Sequence, residues 1–111
     1  MQPHIILQQL GISPELVGYW YILAAVEIAC VDMYRLTAVT KQLYPLVAQK
    51  FRTTPEAVEA AMRRAIKNCW LYGNRPFMEQ IVYHTLPQPP VTSHFLGQLV
   101  LSCQEPIPTA L

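Results

Sequence analysis

The chain has 111 residues, of which 52% are hydrophobic and 14% are charged, and its net charge at pH 7 is +1. This length and composition favour one globular domain, residues 1–111, and exclude an intrinsically disordered chain. No apolar stretch reaches the about 18 residues that a membrane-spanning helix needs, and residues 1–11 lack the features of a signal peptide. The three cysteines offer neither a disulfide framework nor a CxxC metal pair. We therefore expect a cytoplasmic protein without a membrane segment, a metal or a cofactor.

The basic residues are confined to one part of the chain. All eight Lys and Arg residues lie between positions 35 and 75, where two acidic residues oppose them, so this window carries a charge of +6. The rest of the chain has five acidic residues and no Lys or Arg, which gives −5. Such segregation is typical of a nucleic-acid-binding surface. The alternative is that these residues form ordinary solvated helix faces.

Two helices are expected before residue 33. Residues 3–10 predict a short helix that ends at Gly11, and its inward-facing residues are expected to be Ile5, Ile6 and Leu10. The Ser-Pro-Glu sequence at 13–15 indicates the start of a second helix. Residues 19–32 are apolar on nearly every face, which is typical of a helix in the middle of a fold. The alternative is that one of these apolar faces is exposed to a partner.

The segment from about 45 to 73 has the pattern of a helix-turn-helix. A helix that starts at Thr37 or Thr40 is expected to continue to Tyr44. Pro45 either kinks that helix or begins the next one, because proline cannot supply the hydrogen bond of a helix interior. Residues 45–51 then form the positioning helix, 52–54 the turn and 55–72 the recognition helix.

The recognition helix has the clearest pattern in the chain. Thr54 is suited to the N-cap, and Gly73 is suited to close the helix in a left-handed conformation. Apolar residues at three- and four-residue spacing predict one buried stripe. The stripe consists of Val58, Ala61, Met62, Ala65, Ile66, Cys69 and Trp70. In the turn, Arg52 falls near the position where such motifs often hold a left-handed glycine.

Three further segments follow the helix-turn-helix. Residues 76–81 predict a short helix, and 86–91 contain three prolines and predict an extended connector. Thr92 or Ser93 is expected to cap a last helix. Its apolar stripe consists of Phe95, Leu96, Leu99, Val100 and Cys103. With a loose tail expected after residue 104 and no competing strand pattern, the sequence predicts an all-α, compact multi-helix domain.

No set of residues suggests catalysis. His4, His84 and His94 are far apart in sequence, and Cys69 lies on the apolar stripe, so a convergent catalytic site cannot be assembled. Glu27 is the one unusual carboxylate, because it interrupts an apolar helix. It is expected to be exposed or paired with a group such as Arg35. We therefore expect the protein not to be an enzyme.

Binding of double-stranded DNA requires cations along a groove and a few side chains at base edges. The candidates for the groove are Glu59, Arg63, Arg64 and Lys67. The candidates for contacts to the DNA backbone are Lys50, Arg52, Thr53 and Thr54. Two alanines, Ala57 and Ala60, share the outward early face of the helix with acidic residues. Alanine can contact a thymine methyl group, and glutamate can accept a hydrogen bond from cytosine N4. Both contacts discriminate between bases less strongly than an Arg–guanine pair.

Short motifs along most of the chain match one known family. They are Gly18-Tyr19, Thr40-Lys41, Leu43-Tyr44-Pro45, Lys50-Phe51, Thr53-Thr54, Val58-Glu59, Ala65-Ile66 and Gly73-Asn74. Together they resemble the C-terminal effector domain of the stage 0 sporulation protein A family, response regulators of sporulation in Firmicutes. The resemblance implies an all-helical domain that binds promoter DNA through this helix-turn-helix, usually as a tandem homodimer, and contacts RNA polymerase.

The recognition helix departs from that family at its outward face. The family usually has Arg at the positions of Ala57 and Ala60, and Arg64 stands where a His is common. Glu59 and Arg63 are retained. The resemblance thus implies the family's fold, with a DNA sequence preference that can differ from the family's.

Two other departures allow a second hypothesis. Leu23 and Ala24 replace a charged pair that is usual in the family, which makes the central helix more apolar. The family's phosphorylatable receiver domain does not lie within these 111 residues. The alternative to a DNA-binding regulator is therefore a degenerate family member that acts as a protein-interaction or dimerisation module, with little sequence-specific DNA binding.

Overall fold

The computed structural model describes residues 2–83, 85 and 87–104. Within these ranges the chain forms α-helices and one 3-10 helix without a β-strand, which confirms the all-α prediction. The helices are α1 (Pro3–Leu10), α2 (Val17–Val31), α3 (Val39–Gln42), α4 (Tyr44–Phe51), α5 (Pro55–Tyr72), α6 (Arg75–Val82) and α7 (Thr92–Gln104), and the 3-10 helix (Met33–Ala38) precedes α3. None of these helices is long and apolar enough to cross a membrane. The tail expected after residue 104 lies outside the described residues.

Helix α2 lies at the centre of the fold, as the sequence predicts. It packs against α1, α4, α5 and α7, and Ile22, Ala25 and Ala29 are fully buried along it. Gly18 lies inside this helix, where an added Cβ would be 2.4 Å from the carbonyl oxygen of Ala61 on α5. The missing side chain therefore lets α2 and α5 cross at close distance, and this crossing holds the long helix of the helix-turn-helix in place.

Helix α1 ends where the sequence predicts, but one residue of its predicted inward face, Ile5, is exposed. Gly11 has a left-handed conformation with φ 85°, and its N–H donates to the carbonyl oxygens at the end of the helix. The prediction that Ile5 faces inward is wrong, because this side chain is 39% exposed. Ile6, Leu7 and Leu10 form the buried face instead.

The predicted helix start at Ser13 is wrong. Residues 13–16 form a turn in which the Leu16 N–H donates to the Ser13 carbonyl, and α2 begins only at Val17. The Trp20 indole N–H donates to the Pro14 carbonyl at 2.8 Å. This bond gives the Pro14 carbonyl a side-chain donor from α2 in place of a helical backbone donor.

The segment before the helix-turn-helix is also organised differently from the prediction. Neither Thr37 nor Thr40 caps a helix, since the 3-10 helix runs to Ala38 and α3 begins at Val39. The Thr37 hydroxyl donates backwards to the Tyr34 carbonyl at 2.8 Å, which commits it to the preceding turn. Of the two alternatives for Pro45, the structure has the second, because the proline lies in the first turn of α4.

The last two helices follow the sequence pattern closely. Helix α6 begins one residue before, and ends one residue after, the predicted 76–81 segment. The prediction that Thr92 or Ser93 caps α7 is wrong, because the helix already begins at Thr92 and the Phe95 N–H donates to the Val91 carbonyl. The predicted stripe of α7 is confirmed: four of its residues are buried and Cys103 is half-buried.

Candidate nucleic-acid interface

The turn between α4 and α5 is closed by backbone hydrogen bonds around a left-handed residue. Arg52 has φ 56° and ψ 48°, which confirms the left-handed conformation expected there. Its N–H donates to the Gln49 carbonyl at 3.3 Å, and the Thr53 N–H donates to the Ala48 carbonyl at 2.9 Å. This pattern ends α4 and satisfies its last carbonyls. The Arg52 side chain is exposed at the tip of the turn.

Helix α5 starts with the predicted N-cap. The Thr54 hydroxyl oxygen accepts a hydrogen bond from the Ala57 N–H at 3.1 Å, and Pro55 occupies the first helical turn. The hydroxyl proton of Thr54 remains able to donate to an acceptor such as a phosphate oxygen. The positive end of the helix dipole points the same way, so this end of α5 favours an anion.

The buried face of α5 is the predicted one. Six of the seven stripe residues are buried, and the seventh, Trp70, is half-buried. The end of the helix differs, because Gly73 is extended (φ −92°, ψ −157°) rather than left-handed. A Cβ at Gly73 would lie 2.6 Å from the Leu10 carbonyl oxygen and 2.7 Å from that of Cys69. Glycine is therefore required there by a close contact with α1, and not by backbone conformation.

Seven of the eight basic residues are exposed, and the eighth, Arg35, is half-buried. The exposed residues are Lys41, Lys50, Arg52, Arg63, Arg64, Lys67 and Arg75, and of these Arg63 also forms an ion pair on α5. Arg35 is 3.5 Å from the Asp32 carboxylate and donates to the Gln42 carbonyl, whereas Glu27 is exposed. The Arg75 guanidinium stacks 4.1 Å from the centre of the Trp70 ring. The basic surface on the described residues is thus concentrated on α3, α4, the turn and α5.

A cleft of about 560 Å³ runs beside α5. Three α5 residues, Glu59, Arg63 and Lys67, line one wall. The other walls are formed by Val39, Thr40, Tyr44, Gln88, Pro89, Pro90, Val91, Thr92 and Ser93. Among these, Tyr44 is 4% exposed, and burial, followed by the nearby Glu59 charge, raises its pKa.

Glu59 is partly drawn into this cleft. Its Oε1 atom is 3.2 Å from Nη1 of Arg63, and its side chain is 33% exposed while that of Arg63 is 65% exposed. Its Oε2 atom is buried and has no hydrogen-bond partner among the described residues. A buried carboxylate oxygen without a donor is costly, so a change of side-chain conformation that brings this oxygen to a donor in the cleft would be favourable.

The family model described as "Sporulation initiation factor Spo0A C terminal" matches residues 4–102. The chain belongs to this family. It is a family of DNA-binding effector domains in sporulation regulation and not a family of enzymes. The match spans α1 to α7, so it covers the helix-turn-helix and the helices that hold it.

In this Spo0A-type domain, the basic residues of α5 lie on two sides of the helix. Arg63 and Lys67 line the cleft beside the connector. Arg64 instead lines a smaller groove of about 200 Å³, together with Leu16, which precedes α2, and Val17, the first residue of α2. Of the backbone candidates, Thr53 is half-buried, whereas Lys50, Arg52 and Thr54 are exposed.

Two residues that share the cleft with Arg63 and Lys67 are not among the candidates that the sequence predicts. Ser93, at the start of α7, is exposed and offers a hydroxyl there, and Gln88 in the connector offers an amide. No local pattern signals this arrangement, because periodicity describes one helix at a time. The proline content of the connector indicates an extended segment but not the helix beside which it lies.

Proposed function

We propose that this protein is a DNA-binding transcription regulator of sporulation that acts in the cytoplasm and binds promoter duplex DNA through α5. The observation that carries the proposal is the exposed basic surface on and around a helix-turn-helix, in a chain that belongs to a family of DNA-binding effector domains. Family membership supports DNA as the partner, and the surface charge supports this part of the chain as the contact.

The proposed roles follow from where the side chains lie. Helix α5 enters the major groove, where Arg64 and Lys67 are exposed and Arg63 carries Glu59 as an ion-pair partner. The Glu59 carboxylate, whose side chain is 33% exposed, is suited to accept from the amino group of a cytosine. Contacts to the DNA backbone come from Lys50, Arg52, Thr53 and Thr54, with the positive end of α5 behind the two threonines.

A salt titration of binding to duplex DNA tests this proposal. Each phosphate that the protein neutralises is expected to add about −0.9 to the slope of log K against log salt concentration. Binding that persists with a flat slope, or an absence of binding at low salt, would rule out the proposed electrostatic interface.

Paired variants of Arg64 and a control that changes one charge far from α4 and α5 sharpen this test. Arg64→Ala is expected to weaken binding several-fold and to reduce the slope by up to about 0.9, because one cation close to the phosphates is lost. Arg64→Lys keeps the charge. If this variant recovers both the salt slope and the affinity for duplex DNA, Arg64 contacts a phosphate. If it recovers the salt slope but not the affinity, Arg64 contacts a base. Glu27→Gln changes the net charge in a cleft that contains no residue of α4 or α5, and its effect on binding is expected to be small.

Arg63→Ala is expected to weaken binding more than Arg64→Ala. Removal of Arg63 also leaves the Glu59 carboxylate without the cation that lies 3.2 Å away, and an uncompensated carboxylate beside phosphates is repulsive. The double variant with Glu59→Gln is expected to recover part of that loss. Unchanged affinity in Arg63→Ala and Arg64→Ala would contradict both assignments.

The resemblance also supports a tandem homodimer on DNA and a contact with RNA polymerase. Both are further parts of the proposal. Light scattering on the protein with and without a promoter duplex is expected to show a monomer alone and two copies per duplex. One copy per duplex would contradict the tandem arrangement.

A protein-interaction or dimerisation module is the second candidate function, and one observation favours it. Three apolar residues at or just before the start of α2, Leu16, Val17 and Trp20, are 37%, 51% and 46% exposed. Leu16 and Val17 border the Arg64 groove. Ala57 and Ala60 give α5 few groups that can discriminate between bases. A tight dimer that does not bind a duplex at low salt would support this candidate over the first.

A further inference from the structure

Two of the three cysteines lie in one cleft, far from the helix-turn-helix in sequence. Cys30 is in the last turn of α2 and Cys103 is in the last turn of α7, and both line a cleft of about 500 Å³. The side-chain amide of Gln104 donates to the Cys30 carbonyl at 2.9 Å. This hydrogen bond joins the ends of the two helices, so both cysteines lie beside the same helix–helix contact and line the same cleft.

The electrostatics agree with this proximity. Burial raises the pKa of the Cys103 thiol to about 11, and the charge of a Cys30 thiolate contributes to the same shift. A charge on one sulfur influences the other only when the two are near each other. Both residues are half-buried, so a small oxidant has access to them from the open cleft.

The third cysteine is in a different environment. Cys69 is 1% exposed in the core, and its Sγ donates to the Leu10 carbonyl at 3.2 Å. It has no access to solvent and lies on the buried stripe of α5. Cys69 is therefore an internal control for any reaction that requires an accessible thiol.

We propose that Cys30 and Cys103 form a redox-active pair that closes to an intramolecular disulfide when the protein meets a peroxide. The described residues contain no group of three or more His, Cys, Asp or Glu side chains that could hold a metal ion, so thiol–disulfide chemistry fits the pair better than metal binding. The disulfide joins the end of α2 to the end of α7.

The chemistry proceeds in two steps. The Cys30 thiolate attacks one peroxide oxygen, the O–O bond breaks, and a sulfenic acid forms on Cys30 while the departing hydroxide takes up a proton to become water. The Cys103 sulfur then attacks the Cys30 sulfur, the S–O bond breaks, and a second water leaves with the Cys103 proton. Two thiols supply the two electrons that reduce one hydrogen peroxide to two waters.

The order of the two steps follows from the protonation of Cys103. With its pKa raised to about 11, Cys103 is a thiol at neutral pH and reacts slowly with peroxide, because the thiolate is the nucleophile. Cys30 therefore reacts with the peroxide first, and Cys103 then resolves the sulfenic acid.

The test uses the full chain, first reduced and then treated with one equivalent of hydrogen peroxide. The expected result is a fall in free thiols from three to one, a loss of the mass of two hydrogen atoms, and a digest that contains Cys30 linked to Cys103. The melting temperature is expected to rise by on the order of 10 °C, since the bridge closes a long loop of the unfolded chain. Dithiothreitol is expected to restore the three thiols.

Single serine variants provide the controls. Cys69→Ser is expected to lose both of its remaining thiols to the bridge, as the unmodified chain does. Cys30→Ser and Cys103→Ser are expected to form no intramolecular bridge and to show no rise in melting temperature. Three unreacted thiols, a bridge that includes Cys69, disulfide-linked dimers in place of the internal bridge, or a lower melting temperature after oxidation would each overturn the proposal.

Discussion

The turns at the two ends of α5 differ in how the residue type matches the backbone conformation. Arg52, before the helix, is left-handed with φ 56°, a conformation in which glycine is favoured. Gly73, after the helix, is extended, a conformation that other residues adopt readily. Backbone conformation alone would therefore place the glycine at the first turn and a larger residue at the second.

The difference shows which requirement determines each residue. At Gly73 the space is filled by the carbonyl oxygens of Leu10 and Cys69, so packing excludes a side chain. At Arg52 the side chain is exposed, and an arginine in the left-handed region costs about 1 kcal/mol relative to glycine. A cost of this kind, retained next to the recognition helix, is consistent with a binding role for the guanidinium.

The largest effect on the free energy of unfolding is expected when Gly73, in the second turn, is replaced by alanine. Gly73→Ala places a Cβ against two backbone carbonyl oxygens, and since backbone atoms cannot rotate away, the free energy of unfolding is expected to fall by about 3 kcal/mol. Urea denaturation measures this change.

Gly97 provides the matched control for that substitution. It lies in the middle of α7, where nothing lies within 4 Å of an added Cβ. Gly97→Ala is therefore expected to raise the free energy of unfolding by about 0.5–1 kcal/mol, through helix propensity. A Gly73→Ala protein as stable as the original would show that α1 can move away from α5 without cost.

The same junction is expected to produce a pH dependence through Cys69. Burial raises the pKa of this thiol from 9.0 to about 11. Since the folded pKa exceeds the unfolded one, stability is fully present below pH 9.0 and is lost as the pH rises towards about 11. The expected loss is about 2 kcal/mol in the free energy of unfolding.

A Cys69→Ala variant isolates this contribution. Its baseline stability is expected to be lower, because the thiol donates to the Leu10 carbonyl, but it should lose less stability over the same pH range. Cys103 also has a raised pKa and is present in both proteins, so the difference between the two profiles belongs to Cys69. The free energy of unfolding is measured by urea denaturation at increasing pH. If it falls equally with pH in both proteins, the assignment to Cys69 is contradicted.

The first turn was predictable from the sequence and the second was not, for a physical reason. The N-terminal turn is local: the Thr54 cap, the first-turn Pro55 and the left-handed Arg52 depend on residues within a few positions, and all three were predictable. The Gly73 turn depends on a contact with Leu10, more than sixty residues away, so a rule based on helix ends gave the wrong conformation.

The candidate site divides in the same way. The buried stripe of α5, and with it the exposed face that carries Arg63, Arg64 and Lys67, follows from helical spacing. The position of Glu59 between Tyr44 and Arg63, and the presence of Ser93 across the cleft, depend on packing between α5, α4 and the connector. Such long-range contacts leave no periodic signal in a single sequence.

The third prediction tests whether the strained arginine has a binding role. Arg52→Gly is expected to raise the free energy of unfolding by about 1 kcal/mol, because glycine adopts the left-handed conformation without a steric cost. The same change is expected to weaken DNA binding several-fold and to reduce the salt slope by about 0.9, since one phosphate contact disappears.

Arg52→Ala separates these two effects. Alanine removes the charge but keeps a Cβ in the left-handed region, so the loss of affinity should match Arg52→Gly without the gain in stability. If Arg52→Gly is more stable and binds DNA with unchanged affinity, the arginine is not a DNA contact, and the comparison between the turns loses its functional interpretation.

The smallest effect is expected at the hydroxyl that caps α5. Thr54→Ala removes the acceptor for the Ala57 N–H and is expected to lower the free energy of unfolding by about 1 kcal/mol. Thr54→Ser keeps the acceptor and should recover most of this loss in urea denaturation. The cap satisfies one backbone group at an exposed helix end, whereas Gly73 separates two packed helices, so the cap must matter less. A Thr54→Ala loss as large as that of Gly73→Ala would mean that the first turn is as rigidly packed as the second.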